Sequence, residues 1–112
     1  MKAMVVVEGK GQGGLVMQDV PEPIPGEGQV AIRMEGTAVS FGDIEMRQGN
    51  YHSPRTPPVI PGHDVVGKVV ALGPGTTGFC VGEQVTAIAH TGSYAEIVVA
   101  SAAVTWSLPE GV

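Results

Sequence analysis

The chain has 112 residues, 43% of them hydrophobic, and a formal net charge of −5 from 6 basic and 11 acidic residues. Its length fits one domain, and its composition excludes a disordered chain. The sequence has no basic cluster and no apolar run near the ~20 residues of a membrane span, so we expect a protein that binds neither nucleic acid nor membrane. It has only one cysteine, Cys80, so we expect no internal disulfide and a cytoplasmic location.

Short apolar runs between glycines and prolines predict several strands in the first half of the chain. We expect strands at KAMVVVE, GLVMQDV and QVAIRMEGTAV, with the proline-rich surface turn PEPIPGEG before the last of them. SFGDIEMRQG is the plausible helix, because Ser40 and Asp43 form a capping signature and Gly49 stands where a C-terminal glycine belongs.

The second half continues the same pattern. YHSPRTPPVIPGH predicts an ordered loop, DVVGKVVALG a buried strand, PGTTGFCVGEQVTAIA a turn and a strand, SYAEIVVA a strand and AVTWSLPEGV a final extended piece. Six or seven short strands with one helical turn predict a mainly β domain, either a barrel or a sandwich.

The segment GKGQGG matches the dinucleotide-binding pattern G-x-G-x-x-G at Gly9, Gly11 and Gly14, and Glu35 lies near the expected distance for the acidic residue. Such a site also needs a helix of about ten residues directly after the glycines, to hold the pyrophosphate at its N-terminus. Pro21 follows Gly14 too closely for that helix. We therefore predict a hairpin turn here.

A polar block, SFGDIEMRQGNYHSPRTPPVIPGHDVVG, lies between two apolar strands and is followed by KVVALGPGTTGF, VGEQV and GSYAEIVV. In order and spacing these elements resemble the N-terminal domain of the medium-chain dehydrogenase/reductase superfamily, in particular its zinc-independent quinone oxidoreductases. The resemblance covers nearly the whole chain. It implies a GroES-like, partly open β-barrel with one or two short helices over residues 1–112, forming the substrate side of a two-domain enzyme. The NADP(H)-binding Rossmann domain, in cis or in trans, is then absent from this chain.

The resemblance also implies roles for residues of the polar block. It assigns catalytic roles to Ser40 and His63, substrate contacts to Tyr51, Phe41 and Asp64, cofactor contacts to Ser40 and Gly42, and structural roles to Asp43, Arg47, Gly62 and Gly67.

The residues themselves leave simpler alternatives open. Ser40 is also a candidate helix N-cap, and Asp43 either holds backbone N–H groups or pairs with Arg47 at i,i+4. Tyr51 can pack under the proline loop, and His63 can be held by Asp64 or by a backbone carbonyl. Gly62 and Gly67 are expected where two backbones approach closely, a role that does not depend on chemistry.

Zinc-dependent relatives place a cysteine at the position of Ser40, a histidine at His63 and a glutamate at Asp64. A neutral hydroxyl is a poor zinc ligand compared with thiolate, imidazole or carboxylate, and one cysteine cannot build a four-cysteine zinc loop. We therefore expect neither a catalytic nor a structural metal.

The favoured function is NADPH-dependent reduction of quinones or of activated alkenes and carbonyls by hydride transfer. The expected partner is a small-molecule substrate, and the sequence is compatible with a homodimer. One alternative is a relative of the zinc-type alcohol dehydrogenases. Another is an isolated half-enzyme without activity or an interaction module, and the least supported is a co-chaperonin-like protein.

Overall fold

The computed structural model describes residues 1–7, 14–49, 57–89 and 92–112. In chain order it contains strands β1 (Lys2–Val6), β2 (Leu15–Asp19) and β3 (Gln29–Gly36), helix α1 (Phe41–Gln48), strands β4 (Asp64–Leu72), β5 (Gln84–Ile88) and β6 (Ile97–Ser101), a 3-10 turn (Ala102–Val104) and strand β7 (Thr105–Ser107). The predicted mainly β domain with one or two short helices is confirmed. The predicted final extended piece is wrong at Ala103 and Val104, because the Ser101 hydroxyl accepts the Ala103 N–H and caps the 3-10 turn.

The main sheet is antiparallel with the strand order β6-β3-β4-β5-β7, and β6 and β7 form its two edges. Since these edges are not paired with each other, the barrel is partly open. Its buried face carries the larger core cluster, which is built mostly from β-branched residues: Val30, Ile32, Val65, Val69, Val85 and Val98. These side chains favour strands and explain why the apolar runs form this sheet.

Strands β1 and β2 form a separate antiparallel hairpin, in which Val6 pairs with Leu15 and the Val7 N–H donates to the Gly14 carbonyl at 2.7 Å. A strand therefore follows Gly14 instead of a helix, which excludes the dinucleotide-binding turn and agrees with the predicted hairpin. Gly9 and Gly11 lie outside the described residues.

The hairpin is held to the rest of the domain by bridges between Ala3 and Ala95 and between Val6 and Val59. A second, smaller core cluster of Ala3, Val5 and Ala95 lies beneath it.

Helix α1 has the two ends that its sequence predicts. The Ser40 side chain accepts the Asp43 N–H, the Asp43 side chain accepts the Ser40 N–H, and Gly49 ends the helix with a φ of 79°. Within the described ranges, no helix is long and apolar enough to cross a membrane. The two buried residues of α1 are Met46, which is apolar, and Asp43, which is charged, so the helix presents a carboxylate to the interior.

Candidate functional site

The carboxylate of Asp43 lies at the centre of a polar cluster beside the N-terminus of α1, and only 4% of the residue is exposed. Its Oδ2 accepts hydrogen bonds from the Ser40 N–H at 2.9 Å and from the Tyr94 hydroxyl at 3.0 Å. Its Oδ1 accepts the Gly62 N–H at 2.9 Å and lies 2.8 Å from Nδ1 of His63. We call these five residues the Asp43 cluster.

The cluster keeps Asp43 charged although it is buried. Burial alone would raise the pKa of this carboxyl, but hydrogen bonds from the Ser40 backbone, the Tyr94 hydroxyl and the Gly62 backbone together hold the pKa below its usual value. An ionised carboxylate accepts only, so the facing nitrogen of His63, Nδ1, must carry the proton of this hydrogen bond. Asp43 therefore sets both the orientation and the tautomer of the His63 ring.

Ser40 and His63 are brought together, but not as a hydrolytic triad. The Ser40 Oγ lies 3.4 Å from Nδ1, the same ring nitrogen that faces Asp43. A serine nucleophile needs the carboxylate and the hydroxyl on opposite ring nitrogens, so this geometry does not activate Ser40 for attack. It instead holds a hydroxyl and an imidazole side by side: the hydroxyl can donate to an oxygen atom, and the ring can do so from Nε2 when it is protonated.

The expectation that Asp64 or a backbone carbonyl holds His63 did not include Asp43, which lies 2.8 Å from Nδ1 of the ring. Asp64 is exposed and turns away, since its Oδ1 accepts the Ala38 N–H at 3.0 Å and its backbone carbonyl accepts the Thr37 hydroxyl at 2.7 Å. These partners lie 26 and 27 residues from Asp64 along the chain, so the contacts fix the segment between β3 and α1. That segment carries Ser40.

Close backbone packing brings Tyr94 to Asp43. Gly62 has a φ of +105°, and a Cβ placed there would lie 1.9 Å from the Ser93 Oγ and 2.8 Å from the Tyr94 ring. Ser93 is fully buried, and its hydroxyl lies 2.8 Å from that of Thr37. Tyr94, Ser93 and Thr37 were missed by the sequence reasoning; the hydroxyl-bearing pair in GSYAE, directly before a buried strand, was the available signal.

The hydroxyl of Tyr94 predicts an alkaline limit to stability. Burial, the hydrogen bond to Asp43 and the negative charges of Asp43 and Asp64 raise its pKa from 10.0 to about 12. Because the pKa is raised in the folded state, its contribution is complete below pH 10 and is lost as the pH rises towards about 12. Urea unfolding across this range should show stability falling with pH in the wild type and less steeply in Tyr94→Phe. An unchanged slope in Tyr94→Phe would contradict the assignment.

The remaining predicted site residues are more dispersed. Phe41 is 75% exposed, whereas Gly42 and Arg47 are half-buried. Asp43 and Arg47 form no ion pair within the part of the chain that the structure describes; Asp43 holds backbone N–H groups instead. Gly67 lies where β4 meets β3, and a Cβ there would lie 2.0 Å from the Arg33 carbonyl oxygen. Tyr51 lies outside the described residues.

The donor set at Ser40 and His63 does not fit a zinc site. Zinc needs deprotonated or neutral electron-pair donors in a near-tetrahedral arrangement, but Ser40 offers a neutral hydroxyl, and both Asp43 oxygens already accept hydrogen bonds. Across residues 1–7, 14–49, 57–89 and 92–112, no three His, Cys, Asp or Glu side chains are grouped to hold a metal ion. The absence of zinc stays a prediction.

Two openings border the Asp43 cluster on the side of Tyr94 and Val39. The larger is an apolar cleft of about 350 Å³, whose lining includes Met4, Met17 and Met34. The smaller is a cavity of about 130 Å³, bordered by Asp43 itself. A small organic molecule can therefore reach the neighbourhood of the cluster.

Comparison with known proteins shows a consistent likeness. Residues 26–110 match the alcohol dehydrogenase GroES-like domain. A sorbitol dehydrogenase from Halalkalibacterium halodurans is 44% identical over 86 residues, which are 77% of this chain and 24% of that protein. The crystal structure of the human synaptic vesicle membrane protein VAT-1 homolog-like protein superposes with a TM-score of 0.95 at 30% identity, covering 100% of this chain and 36% of that one.

A third likeness is to the quinone oxidoreductase from Thermus thermophilus, also determined in complex with NADPH. Its TM-score is 0.82 at 36% identity, covering 100% of this chain and 34% of that one. The chain spans about a quarter of the length of the curated relatives it matches.

Proposed function

The chain belongs to the alcohol dehydrogenase GroES-like domain family, within the medium-chain dehydrogenase/reductase superfamily, and on this premise we propose that it is the substrate-side domain of an NAD(P)H-dependent oxidoreductase. The substrates we propose are quinones and activated alkenes or carbonyls. The observation that carries the proposal is that the Ser40 hydroxyl lies 3.4 Å from the His63 ring, while the buried carboxylate of Asp43 holds both the Ser40 backbone N–H and that ring. The Thermus relative, named as a quinone oxidoreductase and complexed with NADPH, supports it.

The chain's own residues would orient the substrate and move a proton. The Ser40 hydroxyl can donate to a carbonyl oxygen or to a ribose hydroxyl, and the His63 ring can donate a proton to the oxygen that gains charge. When the ring is protonated, Asp43 would stabilise its positive charge through Nδ1, and Nε2 would carry the proton to be donated. The bound nicotinamide would supply the hydride.

The cofactor would be bound mainly by a Rossmann domain, in cis or in trans. Within the described residues, Gly14 is followed directly by strand β2. The turn therefore offers no helix N-terminus to bind a pyrophosphate. Ser40 would offer its hydroxyl to the nicotinamide ribose, and Gly42, which has no side chain, would leave space for the nicotinamide to approach the backbone. Val39 and Phe41, which are 74% and 75% exposed, form an apolar surface that such a domain would cover.

The substrate class follows from the donor set. Ser40 stands where zinc-dependent relatives have a cysteine, and both oxygens of the Asp43 carboxylate already accept hydrogen bonds. We therefore propose chemistry without a metal Lewis acid. Without such a metal, quinones and enones are better hydride acceptors than simple ketones. The second candidate is a relative of the zinc-type alcohol dehydrogenases, and the relative named as a sorbitol dehydrogenase supports alcohol oxidation as its reaction.

The test is oxidation of NADPH by a naphthoquinone and by a panel of enones, with this chain joined to its cofactor domain. We expect turnover that a metal chelator does not abolish, and a loss of about a hundredfold or more in His63→Ala if the ring is the proton donor. Ser101→Ala, a change at the distant 3-10 turn, is the matched control and should keep its rate. No turnover across the panel, together with zinc-dependent oxidation of polyols, would establish the second candidate instead.

The 112 residues alone should neither turn over substrate nor bind NADPH strongly, because we propose that a Rossmann domain outside these residues binds most of the cofactor. Calorimetric titration with NADPH checks this expectation. Micromolar binding to the isolated chain would count against it.

A further inference from the structure

The Tyr94 hydroxyl and the His63 ring meet opposite oxygens of one buried carboxylate. Oδ2 of Asp43 accepts the Tyr94 hydroxyl at 3.0 Å, and Oδ1 lies 2.8 Å from Nδ1 of His63. The backbone N–H groups of Ser40 and Gly62 also donate to this carboxylate, and no side-chain substitution removes them. Tyr94 instead contributes a donor that a single substitution, Tyr94→Phe, removes while the ring stays.

The backbone fixes the position of Tyr94 from two sides. Its N–H donates to the Pro61 carbonyl at 3.1 Å, and its carbonyl accepts the Met4 N–H of β1 at 2.8 Å. The ring lies against Gly62, where an added Cβ would approach it to 2.8 Å. The segment that carries the hydroxyl is therefore held against the same turn whose Gly62 N–H donates to Asp43. The contact between hydroxyl and carboxylate is part of the fold itself.

This hydrogen bond stabilises negative charge on Asp43. Burial opposes that charge, whereas hydrogen bonds from the Ser40 backbone and from the Tyr94 hydroxyl favour it and help to hold the pKa of the carboxyl below its usual value. Burial and the same hydrogen bond raise the pKa of Tyr94 to about 12, so its hydroxyl keeps its proton near neutral pH. A proton donated to one carboxylate oxygen reduces the negative potential at the other oxygen.

We propose that Tyr94 is a positioning residue for His63 that acts through Asp43. By donating to Oδ2, the hydroxyl limits how strongly Oδ1 attracts the Nδ1 proton of His63. The protonated ring is then stabilised less, and it gives a proton to the substrate more readily. The inference rests on the proposed function for this proton transfer, whereas the effect on the Nδ1 proton is a property of the domain alone.

The first test is NMR of the 112-residue chain at a mildly alkaline pH, at which histidine rings are neutral. The Nδ1 signal of His63 is detected through the carbon-bound ring protons and assigned by its loss in His63→Gln. In Tyr94→Phe we expect this signal to move to higher frequency, because Oδ1 becomes a stronger acceptor. Thr105→Val is the matched control, since it removes another buried hydroxyl, which donates to the Ser101 carbonyl at 2.8 Å, and it should leave the signal in place.

A signal that stays in place or moves to lower frequency in Tyr94→Phe overturns the proposal. The substitution changes no charge near neutral pH, so the fields of the neighbouring Asp64 and Arg47 remain.

The second test is the kinetics of naphthoquinone reduction by this chain joined to its cofactor domain, compared at the optimum pH of each variant. Tyr94→Phe should lower kcat about threefold, because a ring that holds its proton more tightly is a weaker acid. KM should change little, since the phenyl ring still lines both openings. In an Asp43→Asn background, which lacks the charge through which Tyr94 acts, the same substitution should have little further effect.

An equal loss of kcat in both backgrounds, or a raised KM with unchanged kcat, would make Tyr94 a wall of the openings and overturn the proposal. If Asp43→Asn does not fold, the NMR comparison still decides.

The two proposals fail separately. A shifted Nδ1 signal without any turnover in the assembled enzyme would keep the action of Tyr94 on His63 and remove the reductase function. Turnover of quinones with an unmoved signal would keep the reductase function and leave Tyr94 a packing residue.

Discussion

Replacing Asp43 by alanine is expected to lower the free energy of unfolding by about 3 kcal/mol or more, a large part of the stability of a domain of this size. The carboxylate accepts from four groups, so its removal leaves the N–H groups of Ser40 and Gly62 and the Tyr94 hydroxyl without their acceptor. Because Asp43 is 4% exposed, these donors are shielded from bulk water and lose a buried acceptor when the carboxylate is removed. His63 loses its fixed orientation in the same variant.

Urea unfolding followed by circular dichroism measures this loss. Asp19→Ala is the matched control, since Asp19 is also an acid in an ion pair but its side chain is 74% exposed; it should cost at most about 0.5 kcal/mol. Asp43→Asn should fall between the two, because the amide oxygen keeps one acceptor. Equal stabilities of Asp43→Ala and Asp19→Ala would show that the Asp43 cluster does not stabilise the fold.

Replacing Gly67 by alanine is expected to cost about 3 kcal/mol or more and to leave much of the protein unfolded. Gly67 pairs with Met34 across β3 and β4, next to a shift in register, and its Cβ would lie 2.0 Å from the Arg33 carbonyl oxygen and 3.0 Å from the Ile32 side chain. The obstacle is backbone, which cannot rotate away, so the two central strands would have to separate.

Gly75→Ala is the comparison, because Gly75 has a φ of +70° but open space around it. That variant should lose about 1 kcal/mol from its left-handed backbone alone. Thermal unfolding of both variants distinguishes steric from conformational cost. A Gly67→Ala protein as stable as Gly75→Ala would mean that β3 and β4 are not packed as described.

Local patterns were readable from the sequence. The ends of α1 follow from Ser40, Asp43 and Gly49, because a capping box and a left-handed glycine act within a few residues of each other. The hairpin at β1 and β2 follows from the short distance between Gly14 and Pro21, which leaves no room for a helix. The strands follow from apolar runs whose β-branched residues form the core, but these runs leave a barrel and a sandwich equally open, and only the family resemblance predicts the barrel.

Contacts between distant residues were not readable. Asp43 receives its donors from Gly62, 19 residues away, and from Tyr94, 51 residues away, and no local pattern encodes either distance. The spacing of Asp43 and Arg47 suggests a helical ion pair, but the folded chain surrounds the carboxylate with other partners and leaves Arg47 Nε buried without a hydrogen-bond partner among the described residues. Only the tertiary fold decides which of several donors reaches a buried acceptor.

The docking of the β1–β2 hairpin has a consequence for how the chain is made. The residues of β1 leave the ribosome long before their partners: the Met4 N–H donates to the Tyr94 carbonyl and the Glu96 N–H donates to the Lys2 carbonyl, across some ninety residues of chain. Until those partners are synthesised, Ala3 and Val5 lack the cover of Ala95. The same stretch delivers Tyr94 to Asp43. Strand β1 and the Asp43 cluster can therefore be completed only after Tyr94 has been synthesised, and until then the emerging chain lacks part of the cover over β1.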